Sequence, residues 1–364
     1  MIDDADHAEP TLLDAVNLAY NPLLKPAQRL ACSSPSGKAL LPPACDKVLE
    51  WHQLATHWLG NDPMRNWIPI HHPLYPASLL NLKDPPLLLF AMGDLSVLAL
   101  RSIGMVGSRS ASRQGLQTAR DFAKAFALSG WAVVSGLAEG IDGASHRGAL
   151  QGEGPTIAVL GGAIDSLYPR CHEPLAHDIV QHGGLLLSEY PPGTAPQPAF
   201  FPRRNRIIAA LSDGLLVVEA ALRSGSLITA RVASELGKPV MAIPGSIQST
   251  HAKGCHAMIK KGALLVETAN EVIDETAATL APGRQSFDVL PQPTEEIAEG
   301  CASEGALSEE CRQVLSVLDF ERCGFDSLVQ RLQRPADWVL SALTELELEG
   351  WVFNEAGNHW IRAK

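Results

Sequence analysis

The chain has 364 residues, enough for two or three domains and a large core, with 46% hydrophobic residues and a formal net charge of −11. It contains no run of 18 uncharged apolar residues, which excludes a long apolar membrane span, and its acidic start (Asp3, Asp4, Asp6) is unlike a secretory or transit peptide. Seven scattered cysteines, never spaced Cys-x-x-Cys, fit neither a disulfide framework nor a zinc site, so a cytoplasmic protein with reduced thiols is expected.

The acidic total hides an uneven distribution. Residues 1–100 carry 6 basic and 10 acidic side chains, residues 101–270 carry 16 and 12, and residues 271–364 carry 7 and 18. Between 198 and 262 nine basic residues face three acidic ones. A basic middle in an acidic chain permits a polyanionic ligand there without proving one.

In chain order, helices are expected at Leu12–Tyr20 and Asp46–Leu59 with Pro-rich joints, giving a small helical domain over residues 1–75. From about residue 80 short apolar runs alternate with amphipathic segments. The runs are Leu87–Phe90, Ile103–Val106, Ala132–Val134, Thr156–Leu160, Leu185–Leu187, Leu215–Val218, Val240–Ile243 and Leu264–Val266. Apolar strands without alternation, separated by helices such as Leu116–Leu128, Ala144–Gln151 and Leu227–Leu236, predict an α/β domain over 76–275. Its sheet is doubly wound and mostly parallel, an extended Rossmann-like fold. Residues 276–304 have linker composition. Residues 305–364 show three helical patterns and a short hairpin, which is a winged helix.

Ligands of open parallel sheets bind outside the carboxyl ends of the strands. Three such junctions carry small polar residues: Gly107-Ser108-Arg109, then Ser135-Gly136 through Asp142, then Glu219 followed by Ser224-Gly225-Ser226 and Thr229. Glycines let a backbone approach a phosphate and helix N-termini offer free N–H groups. The window Phe200-Phe201-Pro202-Arg203-Arg204-Asn205-Arg206 reads equally as core aromatics with a capped helix or as stacking faces beside phosphate-binding guanidiniums. Its place between these loops, in the basic segment, favours the second reading. No Gly-x-Gly-x-x-Gly and no P-loop is present. Ser135 and His146 lack a nucleophile-elbow context, and Glu139 with Asp142 reads as a cap-and-turn pair. The ligand expected from the residues alone is anionic.

These motifs, together with Gly161-Gly162, Tyr168-Pro169, Ser188-Glu189-Tyr190, Val218-Glu219-Ala220 and Ile243-Pro244-Gly245, stand in the order seen in the DprA (Smf) family, the DNA-processing proteins of bacterial natural transformation. The resemblance covers roughly residues 70–275. It implies non-sequence-specific binding of single-stranded DNA, self-association, loading of RecA recombinase and no catalysis; a homodimer with no cofactor and no membrane is expected. Carried over by position, it implies phosphate contacts at Gly107, Ser108, Arg109 and Gly136, and a stacking face from Phe200 or Phe201. It also implies a groove lined by Arg203, Arg204, Asn205 and Arg206, with Ser224, Gly225, Ser226 and Thr229 nearby and Lys253 and Lys260 keeping the flank basic. Where the family has Gly-Ser/Thr-Asn, this chain has Gly254-Cys255-His256. The alternative is a nucleotide-binding hydrolase of the phosphoribohydrolase type, although Glu219 precedes the glycine loop here rather than following it. The presumed recognition helix of the winged helix, Pro335–Glu349, has four carboxylates and no Lys or Arg, so a protein-interaction module is expected rather than a DNA reader.

Overall fold

The computed structural model describes residues 11–33, 41–279, 308–318, 323–348, 351–355 and 359–362. These fall into two compact units divided within 280–307.

The first unit is built on a nine-stranded sheet. In chain order its strands are β1 (Arg65–Pro69), β2 (Leu88–Gly93), β3 (Ser102–Val106), β4 (Ala132–Ser135), β5 (Thr156–Leu160), β6 (Leu185–Ser188), β7 (Gly214–Val217), β8 (Val240–Ala242) and β9 (Leu264–Leu265). Their spatial order is β1-β2-β6-β5-β4-β3-β7-β8-β9. From β6 to β9 every pairing is parallel, whereas β2 runs antiparallel to both β6 and β1. The central strands β3 to β7 are buried at every residue, which explains their unbroken apolar sequences.

The chain winds outward from β3 to β6 and then returns to place β7 on the other flank of β3. The order therefore reverses between β3 and β7, and that crevice is where a doubly wound sheet binds ligands.

Helices cover both faces. On one face lie α4 (Arg113–Leu128), α5 (Ile141–Gln151), α6 (Glu173–Gln181) and α10 (Ala269–Thr279), packed through Phe122, Phe126, Ala144, Ile179 and Val272. On the other lie α7 (Phe200–Leu211), α8 (Ser226–Glu235) and α9 (Lys253–Ile259), packed through Ile207, Ile208, Ala230, Ala233 and Cys255.

Three expectations need correction. The first 75 residues are not purely helical, because Arg65–Pro69 is an edge strand of the main sheet. Moreover α1 (Leu12–Tyr20) and α3 (Asp46–Leu59) share a core with that sheet, Val16 and Trp58 packing with Phe90, Leu160 and Ile179. A further helix, α2 (Pro26–Cys32), occupies a stretch read as a Pro-rich joint; Pro26 at its first position lacks only an N–H that would be unpaired there anyway. The linker expected at 276–304 begins inside α10, and the remainder lies outside the described residues.

The second unit is a winged helix. It comprises α11 (Glu309–Val317), α12 (Phe325–Leu332) and α13 (Ala336–Leu348), with a three-stranded sheet of β10 (Cys323–Gly324), β12 (His359–Arg362) and β11 (Val352–Glu355). Val314, Leu328, Val339, Leu343, Trp351 and Trp360 form its core. Asp337, Glu345 and Glu347 of α13 are exposed.

Candidate nucleic-acid interface

At the β3/β7 crevice the chain forms a cavity of about 380 Å³ bordered by Gly107, Ser108, Arg109, Arg204, Asn205 and the loop running into α8. Its walls are joined by main-chain and hydroxyl hydrogen bonds. The Ser108 N–H donates to the Glu219 carbonyl (2.8 Å), and the Ile141 N–H donates to the Ser108 carbonyl (3.2 Å). The Ser226 hydroxyl donates to the Gly107 carbonyl (2.8 Å). Gly140, at φ 78°, makes one of these crossings possible, since a side chain there would run into the Ser108 carbonyl.

The far wall is the start of α8. Ser224 accepts from the Ser226 N–H (3.2 Å) and donates to the Ser226 hydroxyl (3.0 Å), closing the turn. Gly225 caps the helix in ordinary right-handed geometry, and a Cβ added there would meet nothing within 4 Å. Thr229 is fully buried and borders the cavity, yet its hydroxyl has no hydrogen-bond partner among the described residues. Buried hydroxyls are normally satisfied, so an unpaired one beside a helix N-terminus is a donor open to an acceptor.

Six side chains expected at this site come from one helix, α7, and helical geometry separates them. Arg203 and Arg206 are three apart and share a face of α7, whereas Arg204 lies about 100° round the axis. Arg204 is buried and donates through Nη1 to the carbonyls of Gly136 and Val159, and through Nε to Asn205 Oδ1 (3.2 Å). Burial lowers its pKa to about 10, opposed by the charge of Asp142. Burial raises the Asp142 pKa, with Arg204 opposing. Gly136 is a glycine because any Cβ would enter the Arg204 guanidinium.

Arg203 and Arg206 turn the other way. Arg206 pairs with Glu189 and Arg203 reaches both Asp84 (3.1 Å) and Glu189 (3.4 Å). The expected single groove lined by all three arginines is therefore not formed: only Arg204, with Asn205, borders the β3/β7 cavity.

The aromatics divide similarly. Phe200 stacks on Tyr190 at 4.0 Å between ring centroids. Phe201 lies 5.5 Å from Tyr168, and the Arg109 guanidinium sits 5.2 Å over its ring. Arg109, Gly136, Tyr168 and Phe201 border a smaller cavity of about 70 Å³ adjoining the first through Arg109. Phe201, beside the exposed Arg109, is thus the aromatic joined to this site, while Phe200 belongs to the Tyr190 side.

Lys253 and Lys260 are exposed on and just after α9 and do not border either cavity; Lys253 donates to the Ile247 carbonyl. The Gly254-Cys255-His256 departure is structural. The Gly254 N–H donates to the Ala220 carbonyl (2.7 Å), and Cys255 is buried with its thiol toward the Val217 and Val218 carbonyls. His256 Nε2 donates to the Gly245 carbonyl (2.9 Å).

The pattern reading missed how the β4–α5 loop is held. Leu137, a non-glycine at φ 57°, donates its N–H to His146 Nε2 (3.3 Å) and accepts through its carbonyl from His172 Nδ1 (2.9 Å). The Thr156 hydroxyl donates to the Val133 carbonyl (2.7 Å), so it accepts from His146 Nδ1 (2.8 Å), which fixes a neutral tautomer. Burial, with His172 and Arg204 adding to it, lowers the His146 pKa to about 3. Ser135 donates to the Met105 carbonyl (2.7 Å) and makes no pair with His146. Glu219 accepts from both the N–H (2.9 Å) and hydroxyl (2.6 Å) of Ser112, which begins α4. No cluster of three or more potential metal ligands occurs among the described residues, nor any helix long and apolar enough to cross a membrane.

The sequence profile of the family described as DNA recombination-mediator protein A matches residues 66–277, and that of the DprA winged helix domain matches 300–358. Protein Smf of Escherichia coli K12 is 39% identical over 304 residues, 83% of this chain and 78% of that protein. DNA processing protein DprA of Bacillus subtilis is 44% identical over 211 residues, 58% of this chain and 71% of that one. The crystal structure of DprA from Streptococcus pneumoniae superposes with a TM-score of 0.62 at 36% identity, covering 73% of this chain and 98% of that chain. A structure of DprA from Helicobacter pylori, described for its single-stranded DNA binding mode, gives 0.53 at 29% identity, covering 59% and 96%. With its sheet, switch-point cavity and winged helix, the chain belongs to the DNA-processing protein A (DprA/Smf) family.

Proposed function

We propose that the carboxyl edge of the main sheet binds single-stranded DNA without sequence preference, and that the protein loads RecA onto the bound strand as a homodimer during DNA uptake and recombination. The observation that carries the binding role is the β3/β7 cavity. There Arg109, the α8 N-terminus and the unpaired Thr229 hydroxyl converge where a phosphate fits, next to the Phe201 ring. Phosphate contacts fix a strand without reading it, and a ring stacks on any base, so the arrangement favours single strands over sequence. A relative described as binding single-stranded DNA supports the same assignment. The RecA and dimer roles rest on family membership. Cysteines at 32, 45, 171, 255 and 323 that form no disulfide among the described residues suit a reducing, cytoplasmic setting.

A phosphoribohydrolase would need a free carboxylate beside the phosphate loop. Both oxygens of Glu219 are engaged by Ser112, which disfavours that alternative. The acidic α13 supports a protein-binding rather than DNA-reading role for the winged helix. Electrophoretic shifts with matched single-stranded and duplex oligonucleotides test the binding role: a clear preference for single strands is expected, and equal affinity overturns it. Retention of RecA on immobilised protein tests the loading role, and no retention with or without DNA removes it.

A further inference from the structure

A second cavity, of about 410 Å³, lies on the same carboxyl edge but over β2 and β6, with α1 and α2 forming its outer wall. It is reached from the first site through the aromatics of α7. Phe201 faces Arg109, its neighbour Phe200 stacks on Tyr190, and Tyr190 borders the second cavity. Five strand intervals separate β7 from β2, about 24 Å at the usual spacing.

Its chemistry repeats that of the first site. Arg29, Lys83 and Arg203 surround it, and Arg206 lies behind Glu189. Asp84 and Glu189 face these four cations within the cavity, Glu189 is already taken by Arg206, and Glu235 lies 4.0 Å from Lys83 at its rim. Arg29 is held in place by donating to the carbonyls of Ala19 (2.8 Å), Asn21 (3.1 Å) and Leu24 (3.1 Å). Burial lowers the pKa of Arg29 and the facing charge of Arg203 lowers it further, with Asp84 opposing, while Glu189 and Asp84 raise the pKa of Arg203 against its burial. Tyr20 and Tyr190 supply aromatic surface, and the buried Tyr190 hydroxyl has no hydrogen-bond partner among the described residues. Of the two carboxylates that hold Arg203, Glu189 is buried and shared with Arg206, and the contact to Asp84 is weak in kind: Asp84 and Arg203 are each 46% exposed. Exposed pairs of this sort contribute at most about 1 kcal/mol, so a phosphate can replace the carboxylate.

We propose that this cavity is a second subsite of one nucleic-acid track. It takes one nucleotide of the bound strand, with its phosphate between Arg29, Lys83 and Arg203 in place of Asp84 and its base on the tyrosine side. The N-terminal helices thereby become part of the DNA-binding surface. The subsite rests on the single-stranded DNA role proposed above, as an extension of it.

The test is fluorescence anisotropy of the full chain with labelled oligo-dT of about four and about twelve nucleotides, lengths chosen to fill part or all of the edge. Lys83, 97% exposed, can be reversed without disturbing the fold. Lys83→Glu is expected to weaken the longer oligonucleotide about three- to tenfold and leave the shorter one unchanged, while Asp84→Asn tightens the longer one. Arg109→Ala is expected to weaken both. If Arg109→Ala weakens both but neither Lys83→Glu nor Asp84→Asn changes the longer one, the second subsite is wrong and the first site stands. If Arg109→Ala changes neither, the underlying DNA assignment fails as well.

Discussion

The guanidinium of Arg109 lies 5.2 Å over the ring of Phe201, which joins the proposed phosphate-binding charge and the proposed stacking face into one physical unit. A cation over a ring contributes about 0.5–1 kcal/mol at an exposed site, and more once a ligand excludes water. The losses from removing each partner should therefore not add. In a cycle of Arg109→Ala, Phe201→Ala and the double variant, oligo-dT affinity is expected to fall in each single variant. The double variant should fall by at least about 0.5 kcal/mol less than the sum. Strict additivity would mean the two side chains act separately.

Arg109 and Arg204 both border the cavity but should fail differently when replaced. Arg109 is exposed, so Arg109→Ala should change folding stability by no more than about 0.5 kcal/mol while weakening DNA binding. Arg204 is buried and bridges the ends of β4 and β5 through the Gly136 and Val159 carbonyls. Removing it leaves those carbonyls and Asp142 without their cation, a loss of about 3–5 kcal/mol. Urea denaturation of the two variants checks this, and equal stability would contradict the division of roles.

Gly225 offers a cleaner probe of close approach. Its backbone is right-handed and a Cβ meets open space, so nothing in the free protein requires glycine. Gly225→Ala should be neutral or stabilising by about 0.4–1 kcal/mol, through the unfolded chain. The same methyl group stands at the cavity mouth and should weaken oligo-dT binding. Full affinity in a stable Gly225→Ala protein would place the phosphate elsewhere.

Much of this arrangement was legible in the sequence. Unbroken apolar runs such as Thr156–Leu160 read directly as strands buried on both faces, and the Gly-Ser-Arg and Ser-Gly-Ser turns sit at the β3 and β7 ends as expected. β1 was not legible, because Arg65-Asn-Trp-Ile-Pro has the composition of an edge and lacks an apolar run. The arginine window misled for a different reason. Adjacent guanidiniums look like one patch in a string of letters, but on α7 they face opposite ways, and the carboxylates that claim Arg203 lie 119 and 14 residues away at Asp84 and Glu189. The Leu137 clamp joins His146 and His172 across 9 and 35 residues, which no local spacing announces.

That clamp gives a pH dependence. The folded-state pKa of His146 is about 3, below the ordinary value of 6.5, so the unfolded chain binds more protons between those limits. Its contribution is fully present above pH 6.5 and is lost as pH falls, by up to about 1.4 kcal/mol per pH unit. Asp142 and Glu189, whose pKa values burial raises, act in the opposite sense above the ordinary carboxylate value. The His146 share therefore appears as a difference. Denaturation midpoints should fall between pH 7 and 5 in the wild-type chain and fall less in His146→Gln. Parallel curves would remove His146 as the cause.

The most direct test of the carboxyl edge as the single-stranded DNA site is the salt dependence of oligo-dT binding to the wild-type chain and to Arg109→Ala. Each phosphate neutralised on a single strand contributes about −0.7 to the slope of log affinity against log salt. With Arg109 on a phosphate, Arg109→Ala should bind more weakly at low salt and show a slope shallower by about 0.7. Unchanged affinity with an unchanged slope would contradict the assignment.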